Sequence, residues 1–168
     1  MNNLLGIEIG RKVKGFAIVF VVLSLVFAYF YLARPLDLKD IINKNNIKEI
    51  YILTDTFTTE FKFPKELRLN NENDINTILD ILSEYKYSRI ISFYNPRIAP
   101  ANPTNGVIHI FLTYSNTDNK LIQQYLFIDS ENDVAIRNKH GINISYKISG
   151  LDKMLFEHLG NWLETLGP

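Results

Sequence analysis

The chain has 168 residues, enough for one domain beside an apolar N-terminal segment, and its formal net charge is zero. Beyond residue 34 there are 14 basic and 17 acidic side chains, a net charge of −3 that disfavours nucleic acid as a partner. The absence of cysteine excludes disulfides, thiolate metal sites and cysteine nucleophiles.

An uncharged apolar run lies near the start of the chain. Gly15 to Leu32 is 18 residues without a charge, and a helix of that length spans about 27 Å, close to a bilayer core. Basic residues before the run keep the N-terminus in the cytoplasm by the positive-inside rule; they are Arg11, Lys12 and Lys14. The sequence therefore predicts a cytoplasmic segment at 1–14, a transmembrane anchor at 15–34 and a domain outside the membrane.

Two other interpretations of the apolar run stay open. A secretory signal would be removed after Val26-Phe27-Ala28, which is followed by three bulky aromatic residues, and the domain would then be secreted. A buried helix of a soluble protein is the third interpretation, although Phe16 to Phe30 has no polar face.

The junction Lys14-Gly15-Phe16 before an apolar helix resembles the leader junction of type IV pilins and pseudopilins. That resemblance implies cleavage after Gly15 and a pilin-like subunit. The chain departs from the family at Phe20, where the mature protein usually carries a glutamate, and at Pro35, which favours an early end to the helix.

The residues after the anchor predict a short stalk helix at 35–46 and one domain at 47–168. Ile47 to Leu53 and Phe57 to Phe63 have strand character, and together they predict a hairpin that turns at residues 54–56 and ends at Pro64.

Helical periodicity appears twice in the domain. Capping residues at 71–74 precede an apolar stripe that recurs at i, i+3, i+4 and i+7, formed by Ile75, Ile78, Leu79 and Leu82. Ser149 is the expected N-cap of a final helix with a second stripe from Leu151 to Leu166.

Short β segments separated by turn residues fill the rest of the domain. They are predicted at 89–93, 107–114, 121–128, 134–137 and 142–148. Short connections favour antiparallel order. The expected fold class is α+β: an N-terminal transmembrane helix followed by one domain whose mainly antiparallel sheet is covered on one face by two helices.

No reactive constellation is evident in the sequence, so we expect no catalytic, cofactor-binding or metal-binding residues. The three histidines are far apart and match no compact metal spacing; they are His109, His140 and His158. Residues 129–133 offer oxygens to a calcium ion but lack the glycine and distal glutamate of a helix-loop-helix site, which favours a solvated hairpin. An envelope hydrolase with a site assembled from distant residues is the alternative.

One long loop, residues 94–106, contains three prolines. A proline-restrained loop on a rigid sheet presents side chains to a partner at modest entropic cost. The predicted partner-binding residues are Tyr94, Arg97 and Ile98.

The order of segments resembles small membrane-anchored extracytoplasmic proteins of Gram-positive bacteria that carry a domain of unknown function. The resemblance is based on IINKNNIKEIYI leading into a strand pair, then DINTILDIL, then a mostly β second half. It implies location and fold class only. The sequence predicts a single-pass protein whose outer domain is a non-catalytic module that binds a protein or a cell-envelope component.

Overall fold

The computed structural model describes residues 2–42, 46–56, 64–90, 106–115, 120–131, 133–137, 143–150 and 154–167. The chain forms two compact units, Met1–Arg34 and Pro35–Pro168.

The first unit is one helix, α1, at Asn2–Ala33. Its segment Gly15–Ala33 is long and apolar enough to cross a membrane, and none of it is buried. Phe16 and Phe27 are 77% and 73% exposed. Such a helix is compatible with a membrane anchor or with a signal sequence.

The second unit is an α+β domain with one antiparallel sheet of eight strands in the described part of the chain. The strands are β1 Pro35–Leu36, β2 Ile47–Thr56, β3 Glu66–Leu69, β4 Lys86–Arg89, β5 Gly106–Ser115, β6 Leu121–Asp129, β7 Asp133–Arg137 and β8 Asn143–Ser149. The helices are α2 Leu38–Ile41, α3 Glu72–Ser83 and α4 Leu155–Thr165. The spatial order of the strands is β1-β4-β8-β7-β6-β5-β2-β3.

One face of the sheet, which we call the core face, is buried and mainly aliphatic. Ile52 pairs with Ile110, and Ile110 pairs with Leu126, so their side chains lie in a row across β2, β5 and β6. All three are 0% or 1% exposed. Buried residues of α3 and α4, among them Ile78 and Leu159, belong to the same hydrophobic cluster.

The first predicted helix of the domain is confirmed as α3, because its capping and its stripe agree. The Asn71 side-chain oxygen accepts a hydrogen bond from the Asn73 backbone N–H at 3.0 Å, which satisfies one free donor of the first turn. The predicted stripe is buried. The final helix begins at Leu155, later than expected, because Ser149 still belongs to β8 and pairs with Lys86.

The segment predicted as a stalk differs in the structure. Pro35–Leu36 is a strand that pairs with β4, and helix α2 covers only Leu38–Ile41. Leu38 and Ile42 are 1% and 4% exposed and belong to the core. The apolar residues that suggested an amphipathic stalk therefore pack into the domain.

The N-terminal hairpin also differs from the prediction. The expected turn residues 54–56 continue β2, and the partner strand is Glu66–Leu69, beyond Pro64. The Thr54 hydroxyl donates a hydrogen bond to the Pro64 carbonyl oxygen at 2.8 Å. This bond links β2 to the segment that precedes β3, beyond the last paired residues of the two strands. The expected partner segment, 57–63, lies outside the described residues.

Candidate functional site

The strand register brings aromatic side chains together on the face opposite the core face, which we call the aromatic face. Tyr51 pairs with Phe111, and Phe111 pairs with Tyr125, so these rings form a row across β2, β5 and β6. The next row on the same face contains His109 and Phe127. Directly paired residues of antiparallel strands share a face, so all five side chains are neighbours.

The rings of the aromatic face contact one another in sequence. The centroids of Tyr51 and Phe111 are 5.7 Å apart, and those of Phe111 and Tyr125 are 4.9 Å apart. His109 stacks beside Tyr125 at 5.9 Å and meets Phe127 edge-on at 5.0 Å. All five side chains are partly exposed, so the cluster lies at the surface of the sheet and its rings are partly covered by their neighbours.

His109 and Tyr125 are also joined by a hydrogen bond of 2.5 Å between Nδ1 and the phenol oxygen. Burial lowers the pKa of His109, against the opposing effect of the Asp55 carboxylate. Burial raises the pKa of Tyr125, against the opposing effect of the Arg137 guanidinium. Both groups are therefore neutral near pH 7, and the bond joins an imidazole nitrogen to a phenol oxygen, two groups that can each donate or accept.

Arginines stand at both ends of the aromatic row. Arg68 pairs with Tyr51 from β3, and its guanidinium lies 5.3 Å from the ring centroid. Arg137 pairs with Tyr125 from β7 and is exposed. Burial raises the pKa of Tyr51, and so do its hydrogen bond to Glu66 and the negative charge of Glu66. The positive charge of Arg68 lowers this pKa. The three rings of the row therefore lie between two arginine side chains.

Polar side chains continue the face beside the rings. On the side of the row away from His109, Thr113 pairs with Gln123 and with Glu49, and Gln123 is exposed. An amide and a hydroxyl offer both donors and acceptors without charge. The aromatic face therefore combines rings and neutral hydrogen-bonding groups with charges of both signs, because the carboxylates of Glu49, Glu66 and Asp55 also lie on it.

In the acidic segment that begins at Asp129, side-chain hydrogen bonds to the backbone hold a turn. Asp129 is fully buried, and its Oδ1 accepts from the backbone N–H groups of Glu131 at 2.9 Å and Asp133 at 2.8 Å. Burial raises the pKa of Asp129, which these two hydrogen bonds oppose. Lys147 pairs with Asp133 at 2.8 Å. Among the described residues, no group of three histidine, aspartate or glutamate side chains is arranged to hold a metal ion.

The histidines occupy different environments. His109 belongs to the aromatic face, whereas His158 lies on α4, with its Nδ1 3.1 Å from the Tyr85 hydroxyl and 3.6 Å from Glu84. Burial, with the charges of Glu84 and Glu157, raises the pKa of Tyr85. His140 lies outside the described residues. The structure therefore does not unite His109 and His158 in one site.

The predicted partner-binding residues Tyr94, Arg97 and Ile98 lie outside the described residues. The sequence did not predict the aromatic face: its members fall in separate predicted strands, and only His109 was considered as a candidate site residue. Aromatic or imidazole side chains two positions apart, at 109 and 111 and again at 125 and 127, were the available signal.

Comparison with known proteins gives no relative: no family model, curated protein or solved structure matches the chain.

Proposed function

We propose that this is a single-pass membrane protein whose extracytoplasmic domain is a non-catalytic binding module, with the aromatic face as its binding surface. Helices α3 and α4 cover the core face in this proposal, which leaves the aromatic face to a ligand. The observation that carries the proposal is the row of partly exposed rings between Arg68 and Arg137. Aromatic residues and arginine are the types that binding surfaces favour.

The membrane part of the proposal is supported by the exposure of α1. An apolar segment of 19 residues with none of its surface buried requires lipid or protein around it. Basic residues precede the segment in the sequence, which favours a cytoplasmic N-terminus and a domain on the outer side. The proposed class is that of the small anchored envelope proteins of Gram-positive bacteria.

Two measurements test the location. A reporter fused to the C-terminus of the full chain should be active outside the cytoplasm; a reporter active only inside contradicts the orientation. The intact mass of the membrane-extracted protein should correspond to all 168 residues. A mass that begins near residue 29 indicates a cleaved signal, and one that begins at Phe16 indicates pilin-like processing.

Photo-crosslinking in intact cells tests the binding surface. A photoreactive residue replaces Gln123, which is exposed on the aromatic face, or Asn76, which is exposed on α3, in the full chain. We expect an adduct at position 123 that Phe111→Ala abolishes, and no such adduct at position 76. Equal labelling at both positions, or no labelling at 123, contradicts the proposed surface.

A further inference from the structure

We propose that β3 is a dimerisation edge, which pairs antiparallel with β3 of a second copy of the chain about a two-fold axis at Leu67. In this register Glu66 of each copy lies opposite Arg68 of the other copy. The inference goes beyond the proposed function and does not depend on it. It follows from the position of β3 in the sheet, the direction of its backbone groups and the order of its charges.

Strand β3, Glu66–Leu69, lies at one end of the eight-stranded sheet. One of its edges pairs with β2, and no other described strand pairs with the opposite edge. The sheet ends differently at β4, where β1 pairs with Tyr87 and Ser88. An edge strand presents a row of backbone N–H and C=O groups, which is a template for the addition of another strand.

The backbone of β3 directs the N–H and C=O groups of Glu66 and Arg68 toward this outer edge. The Thr54 backbone N–H donates to the Lys65 carbonyl oxygen at 3.0 Å, so the backbone groups of Lys65 face β2. Residues of an antiparallel strand alternate in this direction, so those of Leu67 also face β2. The two residues beside Leu67 therefore point outward, where a new strand would form its hydrogen bonds.

The charges of the outward residues select one register. With Leu67 opposite Leu67 of the second copy, Glu66 pairs with Arg68 and Arg68 with Glu66, and each pair forms two backbone hydrogen bonds. Paired side chains share a face, so each pair also joins opposite charges. A shift of two residues in either direction places Glu66 opposite Glu66 or Arg68 opposite Arg68. A shift of one residue places outward backbone groups opposite groups that face β2.

The side chains at this edge can take part in such pairs. Glu66 and Arg68 are exposed, and both also contact Tyr51, through its hydroxyl and its ring respectively. A carboxylate accepts several hydrogen bonds and a guanidinium has five donors, so the contacts with Tyr51 leave capacity for a second partner. Leu67 is partly buried against the core, and Leu67 of the second copy would cover the rest of its side chain.

A second copy suits this edge better than an arbitrary strand does. Charged side chains, short length and a nearby proline, here Pro64, are features that protect edge strands from unspecific pairing. Opposite charges placed on either side of a two-fold axis complement themselves and repel other arrangements. Four residues bury less than a standard interface of roughly 1,600 Å², so we expect a weak, reversible dimer. An axis perpendicular to the sheet keeps both aromatic faces on the same side.

Disulfide crosslinking tests the axis, because the chain has no cysteine of its own. Leu67→Cys places two thiols in a non-hydrogen-bonded pair, whose Cα separation of about 4.5 Å suits a disulfide. Asn70→Cys is the matched control, since residue 70 is exposed just after β3, but the register separates its two copies by about 20 Å. The full chain in detergent micelles is treated with a mild oxidant. We expect a disulfide dimer of Leu67→Cys and at least about tenfold less of Asn70→Cys.

Charge reversal in the Leu67→Cys background tests the pairing. Glu66→Lys, or Arg68→Glu, places like charges opposite each other at both equivalent positions and should lower the disulfide yield about fivefold or more. An equal mixture of these two variants should recover the yield as a mixed dimer, because each copy then carries the charges that complement the other. Misfolding of either variant would not produce that recovery.

The other outcomes overturn the inference or a stated part of it. Equal yields for Leu67→Cys and Asn70→Cys, or no disulfide of Leu67→Cys, overturn the dimer. A higher yield for Glu66→Cys or Arg68→Cys than for Leu67→Cys overturns the register. Failure of the mixed variants to recover the yield overturns the role of charge. The adduct at position 123 is measured separately, so these results and the test of the proposed function can fail independently.

Discussion

The two faces of the sheet are built from alternate residues of the same strands, yet their surfaces differ. On β5, Ile110 is 0% exposed within the aliphatic cluster, whereas its neighbour Phe111 is partly exposed among rings. The core face is formed mainly by branched aliphatic side chains, with the buried rings of Tyr87 and Tyr146 among them, and the aromatic face by rings that contact one another and charged groups. One strand thus supplies stability with one set of residues and a candidate recognition surface with the other.

Aromatic residues occur on both faces of the sheet: Tyr87 and Tyr146 are 0% and 3% exposed on the core face, whereas Tyr51 and Phe111 are partly exposed on the other. Rings that stack on a sheet can be half covered by each other and still present an edge or a face to a ligand. The stabilisation from an apolar side chain grows with the area that it removes from water, so the fully buried aliphatic residues of the core face contribute most. We therefore expect substitutions on the two faces to affect different properties.

The largest expected contrast is between Ile110→Ala and Phe111→Ala. Ile110→Ala should lower the free energy of unfolding by about 2–5 kcal/mol, because it leaves a cavity in a packed core. Phe111→Ala removes a larger side chain, but from a partly exposed position, and should cost roughly 1–2 kcal/mol. Denaturant titration of the full chain in micelles measures both. An equal or larger loss for Phe111→Ala would remove the distinction between the faces.

A smaller contrast is expected between two tyrosines on opposite faces. The Tyr87 ring is fully buried, and its hydroxyl donates to the Leu82 carbonyl oxygen in the last turn of α3 at 2.7 Å. Tyr87→Phe should therefore cost about 1 kcal/mol, since it leaves a carbonyl near a helix end without that donor. Tyr125→Phe removes a hydroxyl that water can replace at a partly exposed site and should cost less. The same denaturant titration measures both changes. A greater loss of unfolding free energy for Tyr125→Phe would contradict the assignment of Tyr87 to the core face and Tyr125 to the aromatic face.

Part of this arrangement was predictable because it is encoded locally. The stripe of α3, its Asn71 cap and the strands from β5 to β8 follow from periodicities within a few residues and from turn clusters between them. The class, α+β with an antiparallel sheet, follows from the same signals. These features depend on neighbours in sequence, so a single chain reveals them.

The pairing of distant strands was not predictable in this way. The central position of β2 comes from its pairing with β5, more than fifty residues later, and β1 joins the sheet through β4. Nothing near Pro35 or Ile47 specifies those partners. The apolar residues at 38 and 42 were consequently assigned to a stalk when they are part of the core.

The aromatic face could not be predicted from the sequence for a related reason. In β5 six of the eight residues from Val107 to Tyr114 are apolar, so alternation marks the exposed side only through His109 and Thr113 and does not single out Phe111. Only the register with β2 and β6 places Phe111 between Tyr51 and Tyr125. The aromatic face is thus a property of three strands, and no single segment displays it.

The protonation of His109 provides a test of burial on the aromatic face. Its pKa is lowered by burial in the native state, so the unfolded chain binds this proton at higher pH, near 6.5. Below that pH the unfolded state holds more protons, and the free energy of unfolding should fall as the pH decreases through the window down to the native pKa. Melting temperatures between pH 7.5 and 5.5 measure this slope.

His109→Gln should flatten the acid-side slope, since it removes the titrating group and keeps a hydrogen-bonding side chain near the Tyr125 hydroxyl. Ser145→Ala, a change on the same face without a titrating group, should keep the wild-type slope. The buried Asp129 acts in the opposite direction, because its raised pKa makes the native state gain its proton first as the pH falls. An unchanged slope in His109→Gln would mean that the imidazole is solvated in the native state.

The smallest expected effect is at the polar edge of the aromatic face, where Lys147 pairs with Asp133 at 2.8 Å. The Lys147 side chain is 58% exposed, so water and salt screen the pair, and Lys147→Met should change the free energy of unfolding by no more than about 1 kcal/mol. Denaturant titration at low and high salt measures the change. A loss as large as that of Ile110→Ala would show that charge pairing on the aromatic face stabilises the fold as much as the core face does, and the separation of stability from recognition between the two faces would then fail.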